Sequence, residues 1–286
     1  MIPLIIILAC KLLQPLLNKQ CSLALDNTAS FMKLLAIRQL VAALFATFFA
    51  GNLLTQIRGA TLLFGALFAF FMTTCVYTGI VAMRHSAIVL VSLFETAGLL
   101  VPCLLGIFLF DEPLKGTHVL GIAVCLLSAW LLTGKNNQNH RLSGKDWILL
   151  ILCLLSNGGI MLTQKLFSSA LPEGDIGAFH FLGFFFSALF SLPFCFSSKT
   201  NNQTSKLLSP KNIFYGILLS VAMLTISMLS TLVAAKLSSV VLFSITGGGG
   251  LLLSTLVSVL VYKEKITTRM IVGLVLGVLA LMVITI

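Results

Sequence analysis

Apolar residues along this chain come in long blocks, each closed by a short polar or charged stretch, and the alternation runs from end to end. The blocks are roughly 17 to 24 residues long, the length a helix needs to cross about 30 Å of hydrocarbon at 1.5 Å per residue. Breaks in the pattern predict spans near residues 2–17, 30–50, 60–82, 87–110, 117–133, 146–166, 175–196, 212–235, 239–262 and 268–285. Ten spans leave no segment for a soluble domain. The opening MIPLIIILACKLLQPLL is apolar from its second residue, without a basic leader or a small-x-small cleavage site, and reads as an uncleaved first span. The longest polar connections are GKNNQNHRLSGKD (134–146) and SSKTNNQTSKLLSPKN (197–212). The first divides the chain into 1–134 and 146–286, with 135–145 as the connecting loop.

The two halves resemble each other. A shift of 152 residues lays SAIVLVSLFETAGLLVPCLLGIFLFDEPLKGTHVLG (86–121) on SSVVLFSITGGGGLLLSTLVSVLVYKEKITTRMIVG (238–273). Ser86 falls on Ser238, Ser92 on Ser244, Gly98 on Gly250, Glu112 on Glu264 and Gly121 on Gly273. A charged residue and two glycines in register carry more weight than leucine matches between apolar helices. A looser match sets Lys19 on Lys165 and Arg38 on His180. Five spans make an odd number of crossings, so the second copy enters from the opposite side. The expected fold is therefore an all-α integral membrane protein of about ten transmembrane helices, built as two inverted five-helix repeats. Inverted repeats characterise secondary transporters, whose halves exchange inward-open and outward-open shapes about a central site.

Composition narrows the class further. Apolar residues make up 58% and charged residues 9%, against about 25% charged in soluble domains, and the mean hydropathy is +1.09. Too little polar surface exists to coat a globule in water. The formal charge of +10 comes from Lys and Arg at the ends of apolar blocks, without a continuous basic face, so no nucleic acid is expected as partner. Cys10, Cys75, Cys103, Cys125, Cys153 and Cys195 lie within or at the rims of apolar blocks, with no CxxC or Cys/His spacing. They read as small buried residues, and neither a metal nor a cofactor is expected.

The runs LVPCLLGIFLFDEPLKGTHVLGIAVCLLSAWLL and ITGGGGLLLSTLVSVLVYKEKITTRMIVGLVLGVLALMVI resemble the ends of the two repeats in the EamA-like transporters of the drug/metabolite transporter superfamily. In that family a span closes on an acidic residue at a tight turn, here Glu112 and Glu264, and the next opens toward a glycine, here Gly121 and Gly273. The tryptophan-rich first span usual in the family is absent, so no first-span role carries over. The resemblance implies a multi-pass metabolite transporter, often an exporter, and with it a bacterial plasma membrane.

Glu95 is the most informative single residue, because it lies well inside the fourth span in VLVSLFETAGLLVP. An ionised group there costs roughly 2.5–3.5 kcal/mol on insertion scales, so it is expected to face the bundle interior with a partner or a proton. It reads as a ligand for a cationic group or a proton-coupling site, or else as half of a structural ion pair. Lys11 and Arg38 are its candidate partners, or anchors for an anionic substrate; each also has a stem long enough to snorkel to the interface. Gly247, Gly248, Gly249 and Gly250 weaken their span by up to about 1 kcal/mol each relative to Ala, and Gly247 takes the register position of Glu95. The run predicts either an unwound stretch meeting substrate or close helix packing. Asn157, Gly158 and Gly159, with Gln164, and the i, i+4 pair Gln14 and Asn18 line a cavity or bond between helices. His180 is a lone span histidine, a proton relay or a structural residue. Tyr77 caps a pocket or packs in the core. Glu112 and Glu264 read as structural turn residues that cap the following helix.

Function follows from these together. A secondary transporter of a small polar or amphipathic metabolite, exporting or exchanging by alternating access, accounts for the repeat, the glycine run and Glu95. Its partners are the lipid bilayer and a small-molecule substrate. An enzyme is not expected: His85, His118, His140 and His180 are scattered without a partner motif, and no GxxxxGK[ST] sequence supports ATP-driven transport. A flippase-like or accessory protein for lipid-linked groups is the alternative. Orientation is contested within the sequence. One loop set, from Lys19 to Arg269, carries twelve Lys and Arg and the other only Arg58, Lys115, Lys165 and Lys236. The positive-inside rule then places both termini outside, whereas the family resemblance implies termini inside.

Overall fold

A computed structural model describes residues 2–22, 28–51, 59–85, 88–110, 115–132, 143–195, 210–253, 255 and 267–285. Every element among them is helical: α1 (Ile2–Ser22), α2 (Thr28–Thr47), α3 (Gly59–His85), α4 (Ile88–Ala97), α5 (Leu100–Phe110), α6 (Gly116–Leu132), α7 (Gly144–Ala170), α8 (Ile176–Cys195), α9 (Pro210–Ala234), α10 (Ser239–Phe243) and α11 (Thr268–Thr285). A π-helical turn over Ser244–Gly248 follows α10 directly. Side chains start several of these helices. Asp146 Oδ2 accepts from the Ser143 N–H at 2.8 Å before α7, and Asp175 Oδ1 accepts from the Ala178 N–H at 3.0 Å before α8. Such caps satisfy donors that have no partner inside the helix.

Among the described residues, four helices are long and apolar enough to cross a bilayer by themselves, over Gly59–Ala82, Gly144–Ala170, Ile176–Cys195 and Ile213–Ala234. Shorter apolar helices lie at Ile2–Gln14, Phe94–Phe110, Gly116–Leu131, Ser239–Leu253 and Thr268–Ala280. Large apolar side chains face outward, Phe48 at 82% exposure and Phe108 at 79%, where water would penalise them and lipid does not. This is a multi-pass membrane protein.

The chain forms two compact units, Met1–Thr73 with Leu166–Ala235 and Thr74–Lys165 with Lys236–Ile286, so each draws segments from both halves of the sequence. In the first unit α2 packs on α8, and α1 and α2 pack on α9. Gly177 permits the approach at the start of α8, since a Cβ there would stand 2.5 Å from the Ala50 nitrogen. In the second unit α6 packs on α11 and α5 on α10. Ser128 Oγ donates to the Gly273 carbonyl at 2.6 Å across the α6–α11 contact.

Two elements differ from the sequence expectation. The span expected over 87–110 is two helices, α4 and α5, separated at Gly98 and Leu99. Lys165, at the end of the span expected over 146–166 and tallied with the loop charges, lies inside α7, which runs on to Ala170. It is 6% exposed and its Nζ donates to the Leu237 carbonyl at 2.8 Å. A long apolar stem ending in a satisfied ammonium lets the helix continue past the charge.

Candidate functional site

The break between α4 and α5 follows from two residues. Pro102 has no N–H, so the Gly98 carbonyl lacks its normal i+4 donor, and it accepts from Val101 N at 3.1 Å instead. Gly98, with no Cβ, tolerates the tightened turn. One step earlier, Leu99 N bonds Thr96 O at 3.2 Å rather than the Glu95 carbonyl. The Glu95 carbonyl accepts instead from Gly98 N at 3.1 Å, and Asn157 Nδ2 of α7 donates to it as well at 2.6 Å.

That bond requires α7 to come close, and glycines permit it. A Cβ on Gly158 would lie 2.4 Å from Val101 Cβ and 2.6 Å from Gly98 O; one on Gly98 would lie 2.9 Å from Leu154 O. The two glycines form a small-residue crossing of the kind that brings membrane helices into backbone contact. The crossing carries the Glu95 carboxyl to the thiol of Cys153, at 3.9 Å from Sγ to Oε1. Cys153 Sγ also lies 3.9 Å from the Cys75 carbonyl of α3. Gly79, one turn beyond Cys75, leaves room for the carboxyl: its Cβ would stand 3.2 Å from Glu95 Oε1 and 3.7 Å from Cys153 Sγ. Around this group Cys75, Ala82, Val91, Leu150 and Cys153 form a buried apolar cluster with Phe94, Leu149 and Ile160 against it. Glu95 is thus partly buried in a low-polarity pocket, where its interactions are stronger than in water.

Other expected residues take varied positions. In the second unit, Gly247 closes most of the π turn and is partly buried; its Cβ would meet Leu99 Cδ2 at 3.9 Å among the described residues. Gly248 and Gly249 are buried, and the run stays wound instead of extended. Tyr77 is partly buried on α3. Lys11 and Gln14, partly buried on α1, belong to the first unit, as does Arg38, whose Nη2 donates to Met223 Sδ at 2.9 Å. His180 is fully buried in that unit, with ring centroids of Phe68, Phe179 and Phe184 at 5.5, 4.7 and 5.9 Å. Its Nε2 lies 3.0 Å from Thr231 Oγ1, whose hydroxyl donates to the Ser227 carbonyl. The hydroxyl has one proton to give, so the imidazole is the donor to it and carries its hydrogen on Nε2. Glu112 and Glu264 lie outside the described residues, as does the side chain of Asn18.

The cysteines and Gly79 were not legible as site residues, since Cys75 and Cys153 are far apart in sequence and meet only through the helix crossing. A π turn lies at 244–248; in the repeat register it falls on 92–96, the regular end of α4 just before the break at Gly98. Such turns concentrate at functional positions of helices.

Comparison with known proteins agrees with this architecture. A solved crystal structure superposes with a TM-score of 0.74 at 13% identity, over 99% of this chain and 95% of that one, a likeness of fold. No curated protein matches the sequence. The profile of the EamA-like transporter family matches residues 144–286. That is half of the chain, and it contains the π turn, the glycine run and the helix that supplies Cys153 and Asn157. The chain belongs to the EamA-like transporter family, membrane transporters of the drug/metabolite transporter superfamily.

Proposed function

We propose that this transporter moves a small polar or amphipathic metabolite by alternating access, as an exporter or exchanger, and that the Glu95 carboxyl engages the moving ligand. One observation carries the reading: a carboxyl well inside a span, at a helix break, packed against the bare backbone of Gly79. A mid-membrane carboxyl is costly and is retained where it meets an ion or a polar group. Discontinuous helices serve the same end, since their ends present unpaired backbone groups within the membrane.

The arrangement of two inverted five-helix halves, 1–134 and 146–286, is supported by the helix pairs. In a two-fold arrangement the helices at the axis meet their own counterparts. The second span of each half is α2 or α8, and these pack together; the fifth is α6 or α11, and these pack together. The irregular stretches lie near each other in that register, 244–248 falling on 92–96, just before the break at Gly98 and Leu99. Tyr77, Asn157 and Gly247 to Gly249, in the same unit as Glu95, are the further residues proposed to meet the ligand; Lys11 and Gln14 are proposed as polar contacts for it within the first unit, and His180 is given a packing role.

The test is a thermal-shift screen of the purified protein against a metabolite library, with wild type and Glu95→Gln in parallel. A ligand at a hundred times its Kd stabilises by about 2.7 kcal/mol. The expected result is a stabilising ligand whose effect is lost in Glu95→Gln, together with loss of its transport in proteoliposomes. A ligand that stabilises and moves equally well in the variant removes Glu95 from the path.

A further inference from the structure

We infer that Cys75, Cys153 and Glu95 form a binding site for a thiophilic divalent cation of the zinc and cadmium class. The three come from different helices, α3, α7 and α4, and the two sulfur atoms and a carboxylate oxygen all lie within 4.8 Å of one another. In a tetrahedral zinc site with bonds of about 2.3 Å to sulfur and about 2.1 Å to oxygen, neighbouring ligand atoms stand roughly 3.6–3.8 Å apart. The Cys153 Sγ to Glu95 Oε1 separation is 3.9 Å. Rotamer adjustments of about an ångström close the set on a metal, without movement of the helices.

The donor set decides the ion. Two sulfurs and one oxygen suit zinc or cadmium and disfavour magnesium and calcium, which take oxygen ligands. Each thiol releases its proton as its metal bond forms. Three protein ligands leave a fourth position for water or another small ligand, the pattern of an exchangeable metal rather than a closed structural site. The surroundings fit as well: the apolar ring of Ala82, Val91 and Leu150 excludes competing water, and Gly79, without a Cβ, lets the carboxyl and the Cys153 thiol lie close to the α3 backbone. Asn157, bonded to the Glu95 carbonyl, fixes the backbone of the ligand-bearing turn.

The inference shares Glu95 with the transport reading, but it is read out by binding alone. The full chain, purified in detergent under reducing conditions, is titrated with cadmium chloride while the ultraviolet thiolate-to-cadmium charge-transfer band is followed. One equivalent is expected to bind with a two-thiolate band. The band falls to about half its amplitude in Cys75→Ser or Cys153→Ser and vanishes in the double variant. Glu95→Gln keeps the band and weakens binding by at least about tenfold. Gly79→Val, which keeps all three ligands but sets a branched side chain against the carboxyl and the thiol, abolishes binding. Cys125→Ser leaves binding unchanged. No band in the wild type, or full binding in the double variant, overturns the site. Glu95-dependent metabolite transport without a cadmium band sinks the metal site and leaves the transport reading standing. A cadmium band with Glu95-independent transport supports the metal site and sinks the transport reading.

Discussion

Gly158→Ala tests whether the helix crossing at Gly98 sets the site. The added methyl would stand 2.4 Å from Val101 Cβ and 2.6 Å from the Gly98 carbonyl oxygen, where carbon contacts normally settle at about 3.5–4.0 Å. Neither neighbour can rotate away, because one is backbone and the other is fixed to it. The overlap exceeds an ångström, so α7 and the α4–α5 turn must separate. Overpacking costs about 1–3 kcal/mol where side chains can adjust, and this contact sits at the top of that range. Alanine returns up to about 1 kcal/mol as a better helix former than glycine. The net is a destabilisation of about 2 kcal/mol. At about 2–4 °C per kcal/mol, Tm in detergent falls by about 4–8 °C. Gly247→Ala is the internal comparison, since its new methyl meets Leu99 Cδ2 at 3.9 Å, an ordinary contact; its Tm is expected not to fall. Scanning fluorimetry on the two variants decides the matter. Equal Tm values for Gly158→Ala and Gly247→Ala would refute the tight crossing.

Asn157→Ala removes the 2.6 Å bond to the Glu95 carbonyl. Interhelical hydrogen bonds in membranes average about 0.6 kcal/mol with a maximum near 1.7, so a Tm loss of a few degrees is expected, with a larger proportional loss of transport; unchanged transport would separate Asn157 from the site. His180→Phe is expected to keep both Tm and transport, because the ring is already packed among Phe68, Phe179 and Phe184. His180→Ala opens a buried cavity and costs about 3 kcal/mol. Loss of transport in the folded Phe variant would restore the proton-relay role to this histidine.

How much of this the sequence disclosed depends on the range of each interaction. Helices are set by hydropathy over some twenty consecutive residues, and the spans were readable for that reason. The break at Gly98 was also local, and Gly98 with Pro102 four residues on is its signature, although a continuous apolar block concealed it. Lys165 illustrates the opposite failure. Its charge closed the apolar block on paper, but its ammonium reaches the Leu237 carbonyl, a partner 72 positions away. With Lys165 inside α7, the poorer loop set falls from four charges to three, which sharpens the asymmetry read by the positive-inside rule. The sulfur and carboxylate cluster was least legible. Its contacts run over 58 and 78 positions, and no motif spacing encodes a meeting that depends on how three helices cross.

The features around Glu95 are linked by necessity more than by proximity. Pro102 denies the Gly98 carbonyl its usual donor, and in the resulting turn the Glu95 carbonyl accepts both from Gly98 N and from Asn157. In hydrocarbon the Asn157 amide has no water to turn to, so it needs an acceptor on a neighbouring helix, and this carbonyl supplies one. The approach is possible only where Gly158 carries no side chain. The same approach delivers Cys153, one turn before Asn157 on α7, to the carboxyl. A polar group within an apolar helix crossing therefore favours small residues opposite it, and those small residues in turn determine which other side chains reach the carboxyl. This is why the glycines Gly79, Gly98 and Gly158 cluster around Glu95, and why the irregularity of α4 and the chemistry of its pocket occur at one level of the bundle.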